Sequence, residues 1–489
     1  MNETPLRRTK IVATLGPATD APGMLARIIA EGVNVVRLNL SHGEPDDHRA
    51  RANAVRAAAI DAGCEVGILA DLQGPKIRIE TFANGPVELV DGASFVLDCQ
   101  PDVPPGDVTR VGVSYYGLPG DVHAGDVLLL DDGLVALTVQ EVVGAEVRCQ
   151  VLIGGKLSNR KGLNRQGGGL SVTALSDKDK ADIKLAAEIG ADFLAISFVR
   201  SADDMHQARR LLQEAGGHAA LVAKIERADA IPVLGEIIDA SDVVMVARGD
   251  LGVEIGDAEL PGLQKKIIRE SVQRNRAVIT ATQMLQSMVR SPIPTRAEVL
   301  DVANAVIDGT DAVMLSEETA AGAHPDKAVA AMCRICLGAE RQFEPKEDLT
   351  AGGHMLDRTD QAIALAAMML AGRLEVRAIV ALTESGATAQ WLSRYGSAVP
   401  IFALSPMASA RRRMLLLRDV QPVAFSHEGL TSVATARSAV QQLFAQGFLQ
   451  DGDRVVLTQG DHVGQGGGTN TLKLLAVGVD GMVESLRDL

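Results

Sequence analysis

The segments that decide the fold are Ala220-Leu221-Val222-Ala223-Lys224-Ile225-Glu226-Arg227 and Val243-Val244-Met245-Val246-Ala247-Arg248-Gly249-Asp250-Leu251-Gly252. Each is a short aliphatic run that ends in charge. Unbroken aliphatic residues over such a length mark a parallel strand buried on both faces. Residues two apart on a strand share a face, so Lys224 and Glu226 project together where the first strand ends. Asp250 arrives at the matching place on the next strand, behind Gly249, whose missing side chain lets a ligand approach the backbone. A surface ion pair for Lys224 and Glu226, or a helix cap for Asp250, is the plainer alternative. Repetition at two neighbouring strand ends favours a site.

Further runs of this kind occur at Ile11–Leu15, Val33–Leu38, Val66–Ala70, Phe193–Ser197, Ala277–Ala281 and Ala312–Leu315, with amphipathic stretches such as Asp177–Ile189 between them. Eight strands with crossover helices predict a (β/α)8 barrel, with a doubly wound sheet as the alternative. The barrel is assigned to residues 1–71 and 173–341. Residues 72–172 interrupt it with short Val/Leu runs and turn signals at Asn84-Gly85, Asp91-Gly92, Pro104-Pro105-Gly106 and Asp132-Gly133, which predicts an inserted all-β lid. That loop leaves the C-terminal rim, where barrel enzymes keep their active sites. After a polar linker, residues 342–489 form a small α/β domain with strands expected at Ala378–Leu382, Pro400–Leu404, Gln421–Ala424 and Arg454–Leu457.

In the 489 residues, 48 Lys+Arg stand against 62 Asp+Glu, a net charge of −14, which argues against nucleic acid and anionic membranes as partners. An anion-binding site in such a protein must gather its basic residues locally. Cys64, Cys99, Cys149, Cys333 and Cys336 are odd in number and scattered, as reduced thiols in a cytoplasm are. Cys333 and Cys336 have metal-pair spacing but no second pair follows, so helix packing is preferred to zinc. The polar first twenty residues lack an apolar signal core, and the longest apolar stretch, near Ala362–Ala371, is about half a membrane span. The expectation is a soluble cytoplasmic protein.

The required basic cluster is present. Strand two ends in Arg37-Leu38-Asn39-Leu40-Ser41-His42-Gly43, with Arg37, Asn39 and Ser41 on one face. Strand three ends in Asp71-Leu72-Gln73-Gly74-Pro75-Lys76-Ile77-Arg78. Arg37, Lys76, Arg78 and Lys224 then face the carboxylates Glu226 and Asp250, which suit Mg2+ or Mn2+. A charge clamp plus metal is what phosphoryl transfer needs, because negative charge spreads over the moving group. Thr282, beside the carboxylates, could relay a proton, while Ser316 and Thr319 serve equally well as helix caps. Thr383-Glu384-Ser385-Gly386-Ala387-Thr388 sits at a strand-to-helix turn suited to a phosphate. Gly464–Gly468 reads as a flexible loop, and neither segment is a Walker A motif.

These segments resemble the pyruvate kinase family over essentially the whole sequence. The likeness is carried by Thr9-Lys10-Ile11-Val12-Ala13-Thr14-Leu15-Gly16-Pro17, Arg37 to Gly43, Ala223 to Glu226, Met245 to Glu254, Thr280 to Met288 and Thr295 to Thr319, in order and each at an expected strand end. The resemblance implies transfer of a phosphoryl group from phosphoenolpyruvate to ADP, giving pyruvate and ATP. It implies Glu226 and Asp250 as metal ligands, Lys224 as the charge stabiliser, and Arg37 as the phosphoryl contact. Gly249, Asp250 and Thr282 would line the substrate pocket, and Asn39, His42, Arg78 and Lys161 would meet the nucleotide. It further implies a sugar-phosphate or nucleotide-monophosphate effector at Thr383, Glu384, Ser385, Gly386 and Thr388, and a homotetramer.

One departure bears on cations. The usual family pattern after strand three is Asp-Thr-Lys-Gly-Pro-Glu, beside a K+ site to which Asn39, Ser41 and Asp71 correspond. Here Leu72, Gln73 and Lys76 replace its Thr, Lys and Glu. This is similar to the branch that needs no K+, and the expectation is that the Lys76 ammonium supplies the monovalent charge. Glu317, where the family carries a small residue, has no explanation in the sequence. A metal-dependent pyruvate aldolase or lyase would share the rim carboxylates, but it has no use for a nucleotide site. A metabolite-sensing regulator would be expected to have lost Lys224 or a metal carboxylate.

Overall fold

The structure, a computed structural model, describes residues 6–342, 356, 358–397, 399–461 and 468–485. Gly464–Gly467 and most of the linker lie outside the described residues.

Eight parallel strands close into a barrel: β1 (Lys10–Thr14), β2 (Val35–Asn39), β3 (Gly67–Asp71), β4 (Phe193–Ile196), β5 (Ala220–Ile225), β6 (Val243–Ala247), β7 (Ala277–Ala281) and β8 (Ala312–Leu315). They pair in cyclic order, with β1 against both β2 and β8. β6, β7 and β8 coincide with the expected strands, and the other five differ at their ends by at most two residues. Alternation along each strand explains why the runs were legible. Ile11, Val36, Ile68, Leu194, Leu221 and Val244 pack outward on the helices, whereas Val12, Val35, Leu69, Phe193, Val222 and Val243 fill the lumen. Both faces are apolar, so the strands read as continuous aliphatic runs.

The lumen parity carries directly into function. Continuing each inward series to the C-terminal end reaches Arg37 after Val35, Asp71 after Leu69 and Lys224 after Val222. At the opposite end, Lys10 precedes Val12 and is fully buried, and its Nζ donates to the Val420 carbonyl of the C-terminal domain at 2.5 Å. The apolar lumen residues form one cluster with Ala364, Met368, Leu392 and Met414, so the base of the barrel and the C-terminal domain share a core.

The insert between β3 and β4 is all-β apart from the single turn Leu118–Asp121. Its main sheet runs in the order Leu163–Arg165, Val127–Leu130, Val135–Val143, Glu146–Ile153, Ser94–Asp98, Arg110–Gly112, around its own core of Phe95, Leu97, Leu128 and Leu137. The polypeptide re-enters the barrel through helix Asp177–Glu188, started by a reciprocal Ser176/Asp179 capping box. In the C-terminal domain, strands Val420–Ala424, Ile401–Ser405, Ala378–Leu382 and Arg454–Gly460 are parallel, and Thr469–Val477 and Val483–Ser485 extend the sheet antiparallel. The last two strands were not expected from the sequence. No helix among the described residues is long and apolar enough to cross a membrane. Cys333 and Cys336 lie on helix Pro325–Glu340, and Cys336 is buried in the core around the barrel.

Candidate active site

At the C-terminal mouth, Arg37, Asp71, Lys224 and Glu226 form one series of contacts. Arg37 Nε donates to Asp71 Oδ2 at 2.7 Å, and its Nη1 donates to Thr14 Oγ1 at 3.2 Å. Lys224 Nζ lies 3.3 Å from Asp71 Oδ1 and 2.9 Å from Glu226 Oε1, and it donates to Ser197 Oγ at 2.7 Å. The two carboxylates are shielded from water, Asp71 being 0% exposed and Glu226 3%. Charges this buried persist only when paired.

The electrostatics follow from the geometry. Burial alone would push the Lys224 ammonium down, but Asp71 and Glu226 outweigh it and hold it above its ordinary value. Burial likewise opposes the Asp71 anion, yet Lys224 and Arg37 hold its carboxyl below the usual range. Glu226 goes the other way. Burial, reinforced by the like charge of Asp250, pushes its carboxyl up despite Lys224. Glu226 and Asp250 thus repel one another, and Glu226 is disfavoured as an anion. An oxygen-only donor set of this kind fits Mg2+ or Mn2+, whose charge would relieve both.

Glu226 is held by its second oxygen, which accepts the Phe198 N–H at 2.8 Å, with Phe198 in left-handed backbone (φ 56°). Asp250 lies in the first turn of helix Arg248–Ile255 and caps nothing. Thr282 follows β7 at φ 69°; its hydroxyl donates to the Ala281 carbonyl at 2.6 Å and accepts the Gly249 N–H at 2.9 Å. Thr319 donates to the Thr14 carbonyl at 2.8 Å, a tie from β8 back to β1, and the Ser316 hydroxyl makes no cap bond. Glu317 accepts from Gln286 Nε2 at 2.9 Å, joining the loops after β7 and β8.

Lys76 lies on the Asp250 side of the mouth. Its ammonium meets Asp250 Oδ1 at 2.9 Å, and among the described residues it makes no bond to Asn39, Ser41 or Asp71. Gly74, left-handed at φ 67°, lets the outgoing segment pass close against Ser197 and Phe198 after β4, and the strand returning through Gly162 packs on the Lys76 side chain. Asn39 Oδ1 accepts the Ser41 N–H at 3.2 Å, and His42 is exposed beside it. Arg78 pairs with Gly162 across the lid stalk and donates to the Arg160 carbonyl at 3.0 Å; Lys161 Nζ meets Asp131 at 2.8 Å. Arg78 and Lys161 are therefore neighbours on the lid, while Asn39 and His42 sit on the barrel. No hydrogen bond or ion pair among the described residues joins the two groups.

In the C-terminal domain, Thr383 Oγ1 accepts the Gly386 N–H at 3.0 Å, and Gly386 (φ 90°) opens helix Ala387–Tyr395. Glu384 contacts His427 Nε2 at 2.6 Å, Ser385 is exposed, and Thr388 shares a 2.6 Å hydrogen bond with Thr469. Ser197, Phe198, Thr14 and Arg248 were not singled out from the sequence. Ser197 was within reach, because it lies two positions after the lumen residue Ala195 at the end of β4. Phe198 and Arg248 act through backbone geometry that no residue pattern announces.

The comparisons with known proteins agree with this architecture. The family model for the pyruvate kinase barrel domain matches residues 6–329, and that for the pyruvate kinase alpha/beta domain matches residues 361–475. The sequence is 54% identical to pyruvate kinase II of Salmonella typhimurium over 480 residues, covering 96% of this protein and 99% of that one. It is 52% identical to the pyruvate kinase of Haemophilus influenzae over 483 residues, at the same coverage. Among solved structures, a pyruvate kinase from Cryptosporidium parvum superposes with a TM-score of 0.90 at 32% identity, covering 96% of each protein. With that barrel, that lid and those charged strand ends, the protein belongs to the pyruvate kinase family, phosphotransferases with phosphoenolpyruvate and ADP as substrates.

Proposed function

We propose that phosphoryl transfer takes place over the buried array Arg37–Asp71–Lys224–Glu226, the observation that carries this reading. Arg37 spends Nε and Nη1 on Asp71 and Thr14, leaving Nη2 to bind a phosphoryl oxygen. Lys224, kept charged by Asp71 and Glu226, faces the charge that builds on the moving group. Glu226 and Asp250 would hold Mg2+ or Mn2+, which would supply positive charge against the negative charge of the phosphoryl group. Gly249, Asp250 and Thr282 line the substrate, and the Thr282 hydroxyl hands a proton to the enolate carbon. Asn39 and His42 from the barrel, with Arg78 and Lys161 from the lid (residues 72–172), meet ADP when the lid closes. The test is pyruvate formation from phosphoenolpyruvate, ADP and Mg2+ with Lys224→Met as the variant. A loss of at least about 10²-fold in kcat is expected for removal of one such charged group. Unchanged kcat would overturn the assignment of Lys224.

The remaining features extend this reading. Leu72, Gln73 and Lys76 support an enzyme that needs no K+, the Lys76 ammonium supplying the monovalent charge to the mouth from its place at Asp250 rather than at Asn39, Ser41 and Asp71; equal activity in tetramethylammonium and potassium buffers is the expected result. The Thr383–Thr388 turn supports activation by a sugar phosphate or nucleotide monophosphate, to be sought with an effector panel. Ile293, Leu300 and Ile307, seven residues apart and 68%, 65% and 50% exposed, support self-association into a homotetramer through helix Arg296–Ile307 and the turn before it. The cytoplasm is the compartment such an enzyme serves.

A further inference from the structure

We infer that Arg248 is a positioning residue for proton delivery, holding the strained Thr282–Gln283 turn in the one conformation that aims the Thr282 hydroxyl at the substrate pocket. The inference rests on the role proposed above for Thr282 and adds a residue that touches no substrate.

Thr282 and Gln283 are consecutive left-handed residues, at φ 69° and 54°, and neither is glycine. Such backbone is strained, most of all for a β-branched side chain, and persists only where surrounding contacts impose it. Arg248 imposes it here. Its Nε and Nη2 donate to the Thr282 carbonyl at 3.2 and 2.8 Å, and Nη2 also reaches the Gln283 carbonyl at 3.3 Å. Nη1 is anchored to Asp301 Oδ1 at 2.7 Å and lies 3.5 Å from Gln264 Oε1. The residue is 8% exposed, so these bonds are made away from competing water.

The consequence reaches the hydroxyl itself. With both carbonyls turned down to Arg248, Thr282 Oγ1 faces the first turn of helix Arg248–Ile255, where it accepts from Gly249 N. Its proton rests on the Ala281 carbonyl. One rotation about the Thr282 Cβ–Oγ1 bond redirects that proton into the pocket, while the Gly249 N–H keeps the oxygen in place. A lysine at 248 could reach one carbonyl but could not span both and Asp301, because only a guanidinium offers donors in a fixed fork.

The experiment reads the proton step separately from binding. In D2O with Mg2+ and ATP, proton NMR follows deuterium entering the pyruvate methyl group, the reverse of enolate protonation. Mn2+ affinity by electron paramagnetic resonance, and thermal melting, monitor the metal site and the fold. Arg248→Ala and Arg248→Lys should each slow deuterium entry by at least tenfold, with Mn2+ affinity within about twofold of the parent. Added guanidinium should restore part of the Arg248→Ala rate, and Arg248→Ala combined with Thr282→Val should lose little beyond Thr282→Val alone. Should Thr282→Val itself keep the exchange rate, the Thr282 role fails. Should Thr282→Val slow it while Arg248→Lys, folded by its melting curve, does not, only the Arg248 inference fails. Losses that multiply in the double variant, or no response to guanidinium, overturn it as well.

Discussion

Replacing Lys76 by methionine should move two observables in opposite directions. The Lys76–Asp250 pair is 2.9 Å long, with side chains 25% and 22% exposed. Two unit charges near a protein surface attract by about 4 kcal/mol at 4 Å, yet exposed pairs contribute only about 0.2–1 kcal/mol once solvent and ordering are counted. A pair this far buried lies between these limits, at about 1–2 kcal/mol. A divalent ion that claims Asp250 must break that contact. In Lys76→Met the contact is gone, so Mn2+ should bind the substrate-free enzyme roughly 5–30-fold more tightly, at about 1.4 kcal/mol per factor of ten. Activity should change in the other sense. Without the ammonium, kcat in tetramethylammonium buffer should fall and be restored by K+. Electron paramagnetic resonance titration gives the first quantity and a coupled lactate dehydrogenase assay the second. Unaltered Mn2+ affinity would refute the competition for Asp250, and full K+-free activity in the variant would refute Lys76 as the internal monovalent charge.

Other outcomes are expected elsewhere in the molecule. Lys10 is fully buried; burial, with Arg7 nearby, lowers its pKa to about 7 despite Asp419, Glu340 and Asp311. Between about 7 and its ordinary 10.5 the unfolded state binds a proton that the folded state does not, so stability rises with pH across that window. The penalty is complete below pH 7, on the order of 5 kcal/mol at about 1.4 kcal/mol per pH unit. Urea midpoints for the parent and Lys10→Met should therefore converge between pH 7 and 10; a constant gap would count against it. Gly74→Ala would place a Cβ 2.6 Å from the Ser197 Cβ in left-handed backbone, displacing both the lid hinge and the partner of Lys224. Lowered kcat with a lowered melting temperature is expected, and a parent-like enzyme would show that the hinge is soft. Leu300→Glu should shift sedimentation toward smaller species, and an unchanged profile would remove this helix face from the assembly.

Much of the charged cluster at the barrel mouth could be read from the sequence because strand parity coincides with it. Every barrel strand is aliphatic on both faces, and the inward series ends in Arg37, Asp71 and Lys224, so strand parity alone places these charges together. The strand Thr469–Val477 was missed because Leu472, Lys473, Leu474 and Leu475 follow no clean alternation, three of them being only half-buried. Lys76 shows another limit. Its identity is legible, but its contact with Asp250 depends on the path set by Gly74 and on the returning strand at Gly162, which are tertiary facts. Arg248 escaped notice because its work is done on backbone carbonyls, and the torsions of Thr282 and Gln283 leave no trace in residue type.

The insertion of the lid also bears on how the barrel assembles. β3 and β4 are neighbours in space, and the Ile68 N–H bonds to Asp192 at 2.9 Å although the two are 124 positions apart. Closing so long a loop costs entropy, which grows slowly with length but must be met before the contact rewards it. The lid has its own core, and its ends are tied by the Arg78–Gly162 bridge and by the Ile79 N–H bonded to the Lys161 carbonyl at 2.9 Å. Once folded, it shrinks the gap between the two strands to a pair of short tethers. An insert that folds on its own core would thus act as a clasp, turning closure of this gap in the barrel wall into a local event.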